Sequence, residues 1–260
     1  MTGVAKNTIT KLMVELGAEC SAYQDRVFRD LPLTSIQCDE MWGFCYAKQR
    51  NVPDEQESTF GYGDVWTWVA IDADTKLVPT WLVGERNVSD CLSFIADLKE
   101  RVAGSVQIST DAEATYRGAI TIVFMGDPDG VDWAQVIKEY QSGQVAPGRY
   151  SPPVCTGVRA RTRLGDPDPP QVRTSYVGRQ NLTLRMAMHR FTRLTNAFSK
   201  KVENLARAVS LHYMHYNFAR VHSSLTVTHE NGKRIKQTPA IAAGITDHVW
   251  SLAEIARPLD

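Results

Sequence analysis

Two aspartates stand where an acid needs a reason. Asp39 falls inside Ile36-Gln37-Cys38-Asp39-Glu40-Met41-Trp42-Gly43-Phe44-Cys45-Tyr46, an aromatic and apolar run that predicts a strand. Asp111 closes the short strand Val106-Gln107-Ile108-Ser109-Thr110-Asp111. A strand-end acid is commonly a turn former, whereas an acid inside an aromatic strand is costly to bury unless something pairs with it. If the two carboxylates converge, they offer hard oxygen ligands of the kind Mg²⁺ takes, with water and phosphate oxygens completing the shell. Two such ions about 4 Å apart can activate a water or a 3′-hydroxyl and stabilise the leaving oxygen of a phosphodiester.

The elements that must position these acids follow from periodicity and turn residues. A helix is predicted over 4–30, with Ile9, Leu12, Met13 and Leu16 at helical intervals and Asn7 or Thr8 at its start. Strands are predicted from Ser35, over 65–72 and over 77–83. The last two are joined by the turn Asp72-Ala73-Asp74-Thr75, and 51–64 is a loop. A helix over 89–103, the strand ending at Asp111, a helix over 112–120 and a fifth strand at Thr121–Met125 come next. Residues 126–172 lack sustained periodicity, apart from a candidate helix at 131–140, and read as an insertion or long loop. Helices over 175–195 and 199–222 follow, then short pieces at Thr238–Ala243 and Val249–Ile255.

Three strands, a helix, a strand, a helix and a strand, then long helices, is the order of a ribonuclease-H-like domain. The expectation is an α/β fold with a mixed five-stranded sheet flanked by helices. In that arrangement the first and fourth strands are neighbours, so Asp39 and Asp111 would meet. The domain plan is a partial helix-turn-helix or N-terminal helical segment at 1–33, the ribonuclease-H-like domain at 34–222 with its insertion at 126–172, and a C-terminal tail at 223–260.

Longer runs are more specific than either acid. They are Thr174-Ser175-Tyr176-Val177-Gly178-Arg179-Gln180-Asn181-Leu182-Thr183-Leu184-Arg185, and then Arg190-Phe191-Thr192-Arg193-Leu194-Thr195-Asn196-Ala197-Phe198-Ser199-Lys200-Lys201-Val202-Glu203-Asn204. Gln37-Cys38-Asp39-Glu40-Met41-Trp42, Gly61-Tyr62-Gly63-Asp64-Val65-Trp66-Thr67-Trp68 and Ser109-Thr110-Asp111 add to them. Together these runs resemble the DDE transposases of the insertion sequence 1 family over nearly the whole chain.

The resemblance implies a catalytic domain that cuts and joins DNA at transposon ends with Mg²⁺, or Mn²⁺ in its place, in a two-ion site. Asp39 matches the first catalytic acid and Asp111 the second. The third is a Glu in the family's Tyr-Val-Glu-Arg-Gln-Asn-Leu run, and this chain has Gly178 there. Gly offers no ligand, and inside a helix it costs about 1 kcal/mol relative to Ala. Glu203, on a later helix, and Glu113, two residues past Asp111, are poor replacements. Inactive or impaired two-metal chemistry is therefore expected. The alternative is a transposase-derived DNA-binding or assembly protein that keeps the contacts without the chemistry. The resemblance also implies a homodimer or larger assembly on DNA ends and target, in the nucleoid of a bacterial cytosol.

Charge supports a polyanion partner once it is divided by position. The 29 basic and 29 acidic residues cancel overall, which by itself argues against a general nucleic-acid binder. Residues 159–207, however, hold eleven Lys/Arg against three acids, whereas 1–158 hold 13 against 22. Arg185, His189 and Arg193 recur at i, i+4 and i+8, one face of the predicted helix, with Arg179, Arg190, Lys200 and Lys201 nearby. Such a face would neutralise DNA phosphates beside the metal site, and it is also what a solvated helix face looks like. Arg159, Arg161, Arg163 and Arg173 are weaker candidates.

At the N-terminus, Gly3 to Leu12 looks like the turn and recognition helix of a helix-turn-helix, with Lys6, Asn7, Thr8 and Lys11 toward bases. An ordinary N-terminal helix fits the same residues. Five cysteines without a CxxC pair suit a reducing cytosol rather than a disulfide framework or a zinc knuckle. No apolar run approaches the roughly 20 residues of a membrane span.

Overall fold

The computed structural model describes residues 3–127, 130–141, 154–192, 196–228 and 232–257. Helix α1 (Lys6–Val27) leads into β1 (Ser35–Cys45), β2 (Gly63–Asp72) and β3 (Trp81–Gly84). Then come α2 (Val88–Arg101), β4 (Val106–Thr110), α3 (Thr115–Val123), β5 (Val131–Gln141) and β6 (Val154–Leu164). Helices α4 (Ser175–Ala187) and α5 (Val202–Phe218) follow. A small hairpin, β7 (Thr226–Thr228) and β8 (Arg234–Lys236), and the short helices α6 (Pro239–Ala242) and α7 (Leu252–Ala256) complete the described residues.

The six longer strands form one mixed sheet in the order β3-β2-β1-β4-β5-β6. β1, β2 and β3 pair antiparallel, β1 with β4 and β4 with β5 pair parallel, and β6 returns antiparallel on β5. The first five strands in this order and these directions are the ribonuclease-H-like arrangement, and β6 adds one edge strand to the five that were expected.

Period-two alternation along β1 divides the core in two. Ile36 and Cys38 join Trp68, Phe94, Ile108, Tyr116 and Trp133 in one cluster, on the side of α2 and α3. Met41 and Cys45 join Val69, Ile71, Val177, Leu184, Val209 and Tyr213 in the other, beneath α4 and α5. The second half of α1 packs on α5, and Gly17 makes the approach close. A Cβ there would stand 2.4 Å from the Arg207 carbonyl oxygen.

Several expectations give way. Thr121–Met125 is not the fifth strand; Thr115–Val123 is helix α3, whose buried stripe Tyr116, Ala119 and Ile120 has helical spacing. β-branched residues there suggested a strand, but the i, i+3, i+4 pattern prevails. The fifth strand is β5, inside the supposed insertion and over the residues offered as a helix at 131–140. Its pairing with β4 buries Trp133, Ala134, Gln135 and Val136 together, as a strand covered on both faces requires.

The predicted helix over 175–195 stops at Ala187. Met188 turns extended, and a short 3₁₀ turn, His189–Phe191, buries the Phe191 ring. A Cβ on Gly43 of β1 would lie only 3.2 Å from that ring. The helix predicted over 199–222 spans only Val202–Phe218.

Candidate functional site

The register of β1 and β4 decides the meeting of the acids. Cys38 pairs with Thr110 in the parallel ladder, so Asp39 is the next residue of β1 and Asp111 the first beyond the end of β4. Oxygens of Asp39, Glu40 and Asp111 all lie within 4.8 Å of one another, a group that could hold a metal ion. All three carboxyls are held above the usual carboxylate range. Burial first, and then the Asp111 charge, push Asp39 up to about 6. The same two causes, with Asp39 added, take Glu40 to about 7. Asp111 is raised chiefly by burial. Lys138 on β5 opposes the rise at both aspartates. Three crowded, half-desolvated carboxyls fit a hard divalent cation, which would neutralise the charge they cannot share.

Glu40 differs from its neighbours because strand alternation sends it toward the other face. There Arg86 donates to its Oε1 from Nε at 2.9 Å and from Nη2 at 2.6 Å, and the Tyr116 hydroxyl donates to Oε2 at 3.4 Å. The same guanidinium reaches Glu113 at 2.5 Å and lies over the Trp66 ring. Sequence reasoning missed Glu40. Its signal was a second acid next to Asp39 in an aromatic strand, but its cation comes from a residue 46 positions away.

Helix α4 closes the other side, and β1 positions it. The Gln37 side-chain oxygen accepts from the backbone N–H of Tyr176 at 2.8 Å and of Val177 at 3.2 Å, capping the orphan donors of the first turn. One helical turn on, the Asn181 amide donates to Asp39 Oδ2 at 2.9 Å. The Asn181 Oδ1 is buried with no hydrogen-bond partner among the described residues. Asn181 went unnoticed in the sequence, although it sits three residues from position 178 on the same helical face.

Asp39, Glu40, Met41, Gly178, Asn181, Leu182 and Arg185 line one cleft of about 240 Å³. A Cβ built on Gly178 meets nothing within 4 Å. The glycine therefore answers no packing demand, and a longer side chain at 178 would start beside the acids in open space.

The basic candidates are dispersed. Arg185 lines the cleft and Arg179 is exposed on another flank of α4. His189 lies beyond the end of α4, so Arg185 and His189 do not share one helix, and Arg193 falls outside the described residues. Arg190 is held by the Ser199 hydroxyl at 2.7 Å and the Met13 sulfur at 3.4 Å. Lys200 lies over the Phe198 ring, and Lys201 is exposed before α5. Lys6, Asn7, Thr8 and Lys11 are exposed on the first turns of α1, where Lys11 pairs with Glu15 at 3.6 Å. Arg159 and Arg161 lie on β6; Arg163, on the same strand, donates to Gln135 at 2.7 Å.

The fold and the site define an α/β protein with a mixed six-stranded sheet of ribonuclease-H-like order, carrying an acidic cluster across its central strands. No protein-family model and no curated protein matches the chain. Among solved structures it is similar to a piggyBac transposase in a synaptic complex with hairpin DNA, at 12% identity and a TM-score of 0.35. The match covers 88% of this chain and 54% of that one, so the chain spans about half the length of that transposase. The ribonuclease-H-like character rests on strand order and register rather than on this likeness. No described helix is long and apolar enough to cross a membrane.

Proposed function

We propose that the chain is a DDE-type DNA transposase of the insertion sequence 1 kind, with phosphodiester cleavage and strand transfer impaired by Gly178 in the place of the third acid. One observation carries this. Asp39 and Asp111 converge on adjacent parallel strands, and Gly178 opens onto the cleft that Asp39 lines, with room for the side chain it lacks.

Asp39 and Asp111 would hold Mg²⁺ or Mn²⁺, with Glu40 tied back to Arg86 behind them. The ion would supply Lewis-acid charge for a phosphodiester oxygen and lower the pKa of a bound water. Asn181 keeps Asp39 oriented, and Lys138 tempers the acidic charge. A second ion would need the acid that position 178 does not provide. DNA is the partner, gathered by the basic residues around α4 and by the exposed start of α1, and synapsis of two ends calls for a dimer or larger assembly.

The absence of a ligand at 178 equally favours a second reading, a DNA-binding or assembly protein without chemistry. Cleavage of transposon-end DNA in Mg²⁺ or Mn²⁺ separates the two. Weak cutting by the chain and strong cutting by Gly178→Glu supports an impaired enzyme. No cutting by either, with DNA binding retained, supports the second reading. Robust cutting by the unaltered chain would overturn the impairment.

A further inference from the structure

A second cavity lies on the opposite flank of α4 from the acidic cleft. It has a volume of about 330 Å³, within the range of pockets that hold small ligands, roughly 300–1,000 Å³. Its lining brings Lys76, Arg179 and Arg220 together with hydroxyls of Thr183, Ser223 and Ser224, and it includes no acid. None of the three cations forms an ion pair with a described acid.

No described acid neutralises these three cations; the Lys76 ammonium donates to the Ala73 carbonyl oxygen, and an anion in the hollow would be attracted by all three. The chain holds Lys76 there firmly. Lys76 has a left-handed backbone, φ 61°, rare for a long side chain. That turn is secured by its N–H on the Asp72 carbonyl at 3.0 Å and by the Tyr216 hydroxyl on its own carbonyl at 3.1 Å. The Lys76 ammonium lies over the Tyr176 ring, 3.6 Å from its centre. His222, also in the lining, has a buried Nε2 with no hydrogen-bond partner among the described residues. Burial, and then Arg220 and Lys76, hold that imidazole down to about 4, so it is neutral at pH 7 and its ring responds to the field of the cavity.

We propose that this cavity binds a phosphate group of a nucleic-acid strand, with Lys76, Arg179 and Arg220 supplying charge and Ser223, Ser224 and His222 supplying hydrogen bonds. The choice of a strand rests on the transposase reading; the phosphate chemistry rests on the lining. Helix α4 divides the two sites. Gly178, Asn181 and Arg185 face the acids, and Arg179 and Thr183, one turn apart, face the cations. A backbone crossing this helix, about 10 Å wide, would place one phosphate at the acidic cleft and another, a few nucleotides along the same strand, in the basic cavity. That fixes the register of the strand without reading its sequence.

The test uses the full chain, with Lys76→Gln and Arg220→Gln as variants and Arg220→Lys as the charge-preserving control. DNA affinity is measured by fluorescence anisotropy against salt, Mn²⁺ binding by calorimetry, and the His222 ring signal by NMR in phosphate against chloride of equal ionic strength. The expected result is DNA binding weakened about threefold to tenfold by each Gln variant, with a salt slope shallower by about one. Arg220→Lys should be close to the unaltered chain, Mn²⁺ binding should be unchanged, and phosphate should move His222 only while a cation stands at position 220. DNA affinity indifferent to both Gln variants overturns the strand proposal, even if phosphate moves His222, because the cavity then takes free phosphate alone. A chain that binds no DNA fails the transposase reading instead. In that case a His222 signal unmoved by phosphate overturns the pocket as well.

Discussion

The Asn181 amide donates a 2.9 Å hydrogen bond to Asp39 Oδ2 across the gap between α4 and β1. With Gln37 gripping the first turn of α4, it fixes the helix at two points one turn apart. Because the bond stabilises the ionised carboxylate, it restrains a group that burial pushes up to about 6. Asn181→Ala should raise the Asp39 pKa further, read from its carboxyl carbon by NMR, and lower unfolding stability by about 1–3 kcal/mol. An unmoved Asp39 pKa would show that the bond does not act on the acid.

The crowded acids make a pH prediction whose sign is the reverse of ordinary acid denaturation. Asp39 and Glu40 titrate higher folded, about 6 and about 7, than unfolded, about 4. Between those values the folded chain binds more protons, so this cluster's contribution to stability falls as pH rises from about 4 to 7. Asp111→Asn removes a charge that raises both groups. It should therefore stabilise the chain, by about 1–2 kcal/mol at pH 8 and by much less at pH 5. Thermal melts at the two pH values, without divalent ions, check this; a destabilised variant at pH 8 would contradict it.

Close approach of α1 and α5 depends on one missing methyl group. At Gly17 a Cβ would press within 2.4 Å of the Arg207 carbonyl oxygen, which is backbone and cannot swing aside. Gly17→Ala should destabilise by about 1–3 kcal/mol despite alanine's better helix propensity. Gly178→Ala, in open space, should stabilise by up to about 1 kcal/mol. Urea unfolding of the pair checks the contrast, and equal effects would show that α1 does not sit against α5 in this way.

What the sequence disclosed was local, and what it concealed depended on distant neighbours. Asp39 and Asp111 were legible because each is an acid on a strand and the element order makes those strands adjacent. Glu40 was not, because its role depends on Arg86, which the β3–α2 turn carries to the far face. β5 was hidden inside a stretch rich in Gly, Pro and Arg, where pairing with β4, rather than any local preference, makes a strand. The basic helix face failed for a similar reason. Its spacing assumed an unbroken helix, but burial of Phe191 against Gly43 ends α4 before His189. Asn181 and the cavity around Lys76 appear only when α4 is laid on the sheet.

The claim that position 178 belongs to the metal centre is tested most directly by Mn²⁺ calorimetry on the chain and on Gly178→Glu, with Asp39→Asn in both backgrounds. The expected result is Mn²⁺ binding at least about tenfold tighter in Gly178→Glu, the change that even outer-shell partners of a metal make, and lost in both Asp39→Asn proteins. Equal Mn²⁺ affinity with glycine or glutamate at 178 would contradict it.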